Sequence, residues 1–249
     1  MKEQIINLLA TGEEHNIQLA YQVASGQGQE LVQSIINDFE YSLAIIATTD
    51  VVWSRYSKKG IDFDEMPLVS DEDRFYKISS IITMEEFYAK ELPPKVNLWQ
   101  FINLKAAFLD NNTSLEYLDV SNNLSLTTLH ICNCSLQEID LSKNINLKSL
   151  YCNKNNLTKL DISKNINLVQ LQCYKNNIEN LDLSNNANLG YAWCADNNLK
   201  DLDLSNNDKL MVVDCTLNNI DSIELPKSVQ SAYLDWNTKC SQNAICIRV

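Results

Sequence analysis

Two histidines in 249 residues, His15 and His130, leave little room for acid–base or metal chemistry. Basic residues are also scarce. Against 32 Asp+Glu stand 20 Lys+Arg, a formal net charge of −12, and so acidic a surface repels phosphate backbones and anionic lipid headgroups. Nucleic acid and membrane are therefore not expected partners. No apolar run reaches the ~18 residues that span a bilayer; the longest, Leu43 to Trp53, is broken by Thr48, Thr49 and Asp50. The apolar run after Met1 is interrupted too early for a secretory core. The expected location is the cytoplasm, or outside the cell if a leader has been removed.

What is plentiful is cysteine, and its spacing is regular. Four of the eight, Cys152, Cys173, Cys194 and Cys215, follow one another at intervals of 21 residues. Equal intervals mark equivalent packing sites in a repeat, whereas a disulfide needs two side chains aimed at each other. These four read as buried thiols. The same period runs through Leu147, Leu150, Cys152, Asn155, Leu157, Leu160, Ile162 and Asn165, and restarts at Leu168, Leu189 and Leu210. Backwards, the frame catches Leu126, Leu129, Ile131, Cys134 and Leu136. Earlier still, Leu115, Leu118, Val120 and Asn123 match a second half-turn, and Leu104, Leu109 and Asn112 a decayed first half. Beyond Leu225 the pattern fades through Leu234 and Trp236, as in a terminal cap.

The first half of each turn, L-x-x-L-x-C-x-x-N-x-L, resembles the leucine-rich-repeat family over residues 98–237. Cysteine in place of the strand's second leucine, in short turns, makes it look closest to the bacterial internalin type with a cysteine ladder. The resemblance implies a protein-interaction module.

The physical reading agrees with that fold. Alternating inward residues such as Leu150 and Cys152 define a strand, and one turn alone cannot bury its apolar face. Stacked turns close the core and place a parallel sheet along one side. Asn155, Asn176, Asn197 and Asn218 then fall in one column, where inward amides can satisfy backbone groups at the bend after each strand. The second half-turn, Leu157-Thr-Lys-Leu160-Asp-Ile162-Ser, alternates too, and so predicts extended segments rather than helices. The expected fold is an α/β solenoid, a leucine-rich repeat with a parallel sheet on one side, extended segments on the other and an N-terminal helical cap. Residues 1–94 form the cap or domain, and 95–249 the solenoid with its C-terminal cap.

Within the N-terminal region, Thr11-Gly-Glu-Glu14 fits a capping box before Ile17, Ala20, Tyr21 and Ala24 on one helix face. Gly26-Gln-Gly28 stops that helix, and Leu31, Ile35, Phe39, Leu43 and Ile46 start another. A loop is expected over residues 57–73, and helical periodicity from Phe75 to Leu92, ended by Pro93-Pro94.

Few residues are candidates for chemistry. His15 lies on a helix surface. His130 faces outward, and the nearest acid in its own column is Asp214, about 19 Å away at sheet spacing, too far for a catalytic relay. His130, Cys132 and Cys134 carry metal-ligand chemistry without an evident fourth ligand, and read as strand residues. Cys240 and Cys246 could pair if exported, and otherwise stand as thiols in a cap. The acid ladder Asp119, Asp140, Asp161, Asp182, Asp203 and Glu224 has the oxygen chemistry that recruits Ca²⁺, but Lys143, Lys159, Lys164 and Lys227 lie near enough to offset it. It reads as a solvated face.

The outward positions of the sheet are more suggestive. Tyr151, Tyr174, Tyr191, Trp193 and Tyr233 share one face with Gln172, Asp214 and Asp235, with Tyr233 in the column of Tyr191 and Asp235 in that of Asp214. Tyrosine and tryptophan are enriched at binding hot spots. The expected function is non-catalytic binding of a macromolecule, a protein first and a carbohydrate as the alternative, with no cofactor and no metal.

Overall fold

The computed structural model describes residues 1–11, 14–48, 50–51, 71–240 and 245–248, with backbone alone at 14, 40–48, 50–51, 71–73, 76, 77, 80 and 245. Four helices come first: α1 (Lys2–Leu9), α2 (Glu14–Gly26), α3 (Gln29–Thr48) and α4 (Asp71–Thr83), with a short strand β1 (Asp50–Val51) between the last two. The expected face of α2 is buried: Ile17, Ala20 and Ala24 are fully covered, and Tyr21 packs its ring edge-on to Phe75 of α4. Gly28, at φ +113, makes the break before α3, in a region where a side chain would be strained. The capping box lies outside the described residues, since Gly12, Glu13 and the Glu14 side chain are not among them. So does the loop expected over 57–73, except for its last three residues, which open α4 instead.

The helical periodicity expected through Leu92 ends at Thr83. Residues Glu86–Lys90 form strand β2, which pairs in parallel with β4 (Ala106–Phe108). Alternation explains the correction: Phe87 and Ala89 are buried while Glu86, Tyr88 and Lys90 are not, a period of two rather than 3.6.

From there the chain coils. One side is a ten-stranded sheet, continuing from β4 through β6 (Thr128–His130), β7 (Ser149–Tyr151), β8 (Gln170–Gln172), β9 (Tyr191–Trp193), β10 (Val212–Asp214), β12 (Ser231–Leu234) and β14 (Ile245–Arg248). Every pairing is parallel except β1 with β2. The far side carries two small parallel pairs, β3 (Lys95–Asn97) with β5 (Tyr117–Asp119), and β11 (Ser222–Ile223) with β13 (Lys239–Cys240). Among the described residues no helix follows Thr83. The apolar core is one cluster from Ile5 to Leu234, so the N-terminal helices cap the same core that the turns enclose. Asn103 of the first turn fastens the end of α4, its Nδ2 donating to the Ile82 carbonyl at 2.7 Å.

Each turn bends after its strand through a left-handed residue, and none of these is glycine: Asn111, Asn133, Lys154, Lys175, Asp196 and Leu217 all have φ between 54° and 67°. The inward asparagine column supports the bends. Asn176 donates from Nδ2 to the carbonyls of Cys152 and Cys173 at 3.1 and 2.9 Å, and accepts from the Leu157 N–H at 3.1 Å. Asn112, Asn155, Asn197 and Asn218 repeat the arrangement. Cys134, which stands in this column, takes over one of the donations, to the Leu109 carbonyl. The ladder cysteines are buried as expected: Cys152, Cys173 and Cys194 are fully covered and Cys215 nearly so.

Candidate functional site

Parallel register lines up one outward residue per strand: Tyr88, Phe108, His130, Tyr151, Gln172, Trp193, Asp214 and Tyr233. Strand spacing of ~4.8 Å is close to ring-stacking distance, so adjacent aromatics in such a column must meet. Tyr88 and Phe108 stack at 4.3 Å, Phe108 meets His130 at 4.8 Å, and His130 stacks on Tyr151 at 4.1 Å. Gln172 ends this four-ring ladder. Beyond it, Tyr191 and Trp193 stack on each other at 5.6 Å with planes 7° apart, being two residues apart on one strand face. All six rings are half-buried. Phe108 and His130 each touch two rings, and Tyr88, Tyr151, Tyr191 and Trp193 one each.

The expected site residues are thus brought together only partly. Tyr191 and Trp193 form one cluster. Tyr151 belongs to the other, and its hydroxyl hydrogen-bonds Gln170 Oε1. Tyr174 sits half-buried two residues beyond Gln172, in the next outward column. Tyr233 is not in the column of Tyr191: the last turn is two residues short, so Tyr233 pairs with Asp214 and Ser231 with Val212. Asp235 likewise leaves the Asp214 column. Its carboxylate accepts the N–H groups of Leu217 at 2.8 Å and Asn218 at 3.2 Å, holding the left-handed bend at Leu217. Asp214 is also engaged locally, accepting from the hydroxyl and N–H of Thr216. Tyr88 and Phe108 were missed by the sequence reading.

His130 has a nearer acid than Asp214. Asp110, from the preceding turn, places Oδ2 3.4 Å from His130 Nδ1 and accepts the Cys132 N–H at 2.7 Å. Burial alone would raise the Asp110 pKa, but the hydrogen bonds from His130 and Cys132 outweigh it and hold the carboxyl below the usual range. The effect on Cys132 is opposite: burial and then the Asp110 charge push its thiol up to about 12. Cys132 donates to Asn153 Oδ1 at 2.9 Å, so the group keeps its proton and is a poor nucleophile. Among the described residues no three His, Cys, Asp or Glu side chains converge on a metal position.

The far side is uniform. Asp140, Asp161, Asp182 and Asp203 each accept the N–H of the serine two residues on, at 2.9 to 3.0 Å. These carboxylates serve the backbone of their own turn. A further stripe was not foreseen: Ile102, Leu124, Ile145 and Ile166, one per turn, are 46%, 56%, 53% and 54% exposed. They form an aliphatic ridge distinct from the aromatic face.

No family model matches the sequence, and no curated protein does. Solved structures do match. Internalin C2 from Listeria monocytogenes is 16% identical, with a TM-score of 0.53 over 69% of this chain and 83% of that one. Internalin F from the same organism is 19% identical, with a TM-score of 0.51 over 67% of this chain and 58% of its own. The functional domain of InlJ from Listeria monocytogenes, which includes a cysteine ladder, is 23% identical, with a TM-score of 0.44 over 69% of this chain and 54% of that one. The chain thus spans little more than half the length of two of these three. It folds as a leucine-rich-repeat solenoid of internalin-like architecture. No described helix is long and apolar enough to cross a membrane.

Proposed function

We propose that this protein is a non-catalytic module that binds another protein through the aromatic face of its sheet. The observation that carries the reading is the pair of ring clusters, Tyr88–Phe108–His130–Tyr151 and Tyr191–Trp193, at half-exposed positions whose residue changes from turn to turn. Tyrosine and tryptophan anchor protein interfaces, and rings already ordered by stacking lose little further freedom on binding. A carbohydrate fits less well, because a sugar packs on an open ring face and each of these six rings already meets at least one other ring. Tyr174, Gln172, Asp214 and Tyr233 complete the surface in this reading. Cytoplasmic residence remains part of the proposal, since buried reduced thiols need no oxidising compartment.

Affinity capture from the native cell, followed by titration of the captured protein, tests it. Tyr174→Ala and Trp193→Ala should each weaken binding by about 1–2 kcal/mol, roughly five- to thirtyfold. Ile145→Lys and Ile166→Lys, on the aliphatic ridge, should stay within about twofold. The reverse result moves the site to the ridge. A hit on a glycan array with no protein captured replaces the partner class.

A further inference from the structure

The last described layer of the core is closed differently from the first. The N-terminal layer meets helices, whereas the C-terminal one ends on two short strands, β13 on the far side and β14 on the main sheet. Register fixes how their cysteines lie. Cys240 pairs with Ile223 and Cys246 with Ala232, and both of those partners are buried inward residues. In parallel register the two cysteines also turn inward, from opposite sides of the layer, and both pack against the core. Their sulfurs stand 3.2 Å apart. Reaching the ~2.05 Å of a disulfide bond needs roughly 1.2 Å of closure, within the reach of small χ rotations.

Of the other six cysteines five are buried and Cys132 is half-exposed, and none has a second sulfur so placed. Burial pushes the Cys173 and Cys215 thiols up to about 12 and those of Cys152 and Cys194 well above their ordinary value. Cys132 and Cys134 are likewise raised by burial, to about 12 and about 11. Thiolate is the species that exchanges with disulfides, so the five buried thiols are protected by both access and protonation, and the half-exposed Cys132 by its protonation and its hydrogen bond to Asn153. Cys240 and Cys246 are half-exposed; burial and the neighbouring Cys240 raise the Cys246 thiol too, so what sets this pair apart is that the two sulfurs already face each other.

We propose that Cys240 and Cys246 are a redox site, forming a disulfide that ties β13 to β14 across the last core layer when the protein meets a small-molecule disulfide. One thiolate attacks the small disulfide R–S–S–R, forming a mixed disulfide and releasing one R–SH. The second thiol displaces the other R–SH, so two cysteine protons leave on two small thiols and one Cys–S–S–Cys bond remains. The bond joins the two sides of the solenoid, whose strands are otherwise connected here through residues 241–244. It fixes the terminal strand of the sheet.

The full chain equilibrated with oxidised glutathione, then alkylated and mapped by peptide mass, tests this. One internal bond between Cys240 and Cys246 is expected, with the five buried cysteines alkylated only after denaturation. Amide exchange across residues 245–248 should slow about tenfold and recover on reduction. In Cys240→Ser and Cys246→Ser the remaining thiol should carry glutathione, and exchange should not slow. Separate glutathione adducts on both cysteines of the unaltered chain, two thiols still alkylatable in excess oxidant, or unchanged exchange in the bridged form would each overturn the proposal.

Discussion

On the far side of the solenoid successive turns do the same thing, and on the sheet side they do not. Asp140, Asp161, Asp182 and Asp203 make one hydrogen bond four times over, to the serine two residues on. At the facing position of the sheet the residues are His130, Tyr151, Gln172, Trp193 and Asp214, with no shared partner. A residue that recurs at every turn is one the turn needs for its own backbone. Where the residue is free to change, the fold makes no demand on it, and aromatic rings left half in water gain little for stability. The difference between the faces is thus a division between scaffold and surface, and it can be tested from the inside outward.

The recurrent interior should break first and hardest. Asn176→Ala deletes three hydrogen bonds at a buried bend: the Leu157 N–H loses its acceptor, while the Cys152 and Cys173 carbonyls each keep one amide donor, from Asn155 and Asn197. A loss of about 3–5 kcal/mol in urea unfolding is expected. A loss under about 1 kcal/mol would mean that recurrence does not mark structural need, and the contrast between faces would lose its basis. Cys173→Ser should be milder. It puts a more polar hydroxyl at a fully buried site where, among the described residues, no hydrogen-bond acceptor of the sulfur is seen, at a cost of about 1–3 kcal/mol. A neutral outcome, or rapid labelling of Cys173 in the folded protein, would place that column in solvent.

The recurrent positions were legible in the sequence for the same physical reason. A fixed 21-residue period carries Cys152, Cys173, Cys194 and Cys215 into one column, and the asparagines into another. The ends were less legible because their turns change length while the strands stay in register. Tyr88 and Phe108 are 20 residues apart and Phe108 and His130 are 22 apart, so a 21-residue ruler passes both by. The last turn is 19 residues from Asp214 to Tyr233, which moved Tyr233 and Asp235 out of their expected columns. Strand β2 was hidden differently: Glu86-Phe-Tyr-Ala-Lys90 has no leucine at its inward positions and directly follows a helix. The meeting of His130 with Asp110 joins neighbouring columns of adjacent turns, a contact that a search along one column does not reach.

The smallest effect belongs to the recurrent exterior, and Asp161→Asn isolates it. Asp161 accepts the Ser163 N–H at 3.0 Å, and that bond, with one from the Ser163 side chain, holds its carboxyl below the ordinary range. A carboxyl whose pKa is lowered by folding stabilises the native state above its unfolded value, ~3.9, and loses that contribution as pH falls through the folded value. Asparagine keeps an acceptor oxygen in the same place and lacks the charge. Because the group is exposed, solvent screens most of the gain, and the unfolding midpoint at pH 7 should fall by less than about 2 °C. The two midpoints should converge once the pH has fallen through the lowered folded value, where the native aspartate is protonated too. A gap that persists there would assign the effect to packing rather than charge. Partner affinity should stay within about twofold, because the far side only holds the turn; a tenfold loss would show that recurrence and binding coincide on this face, and the division between scaffold and surface would fail.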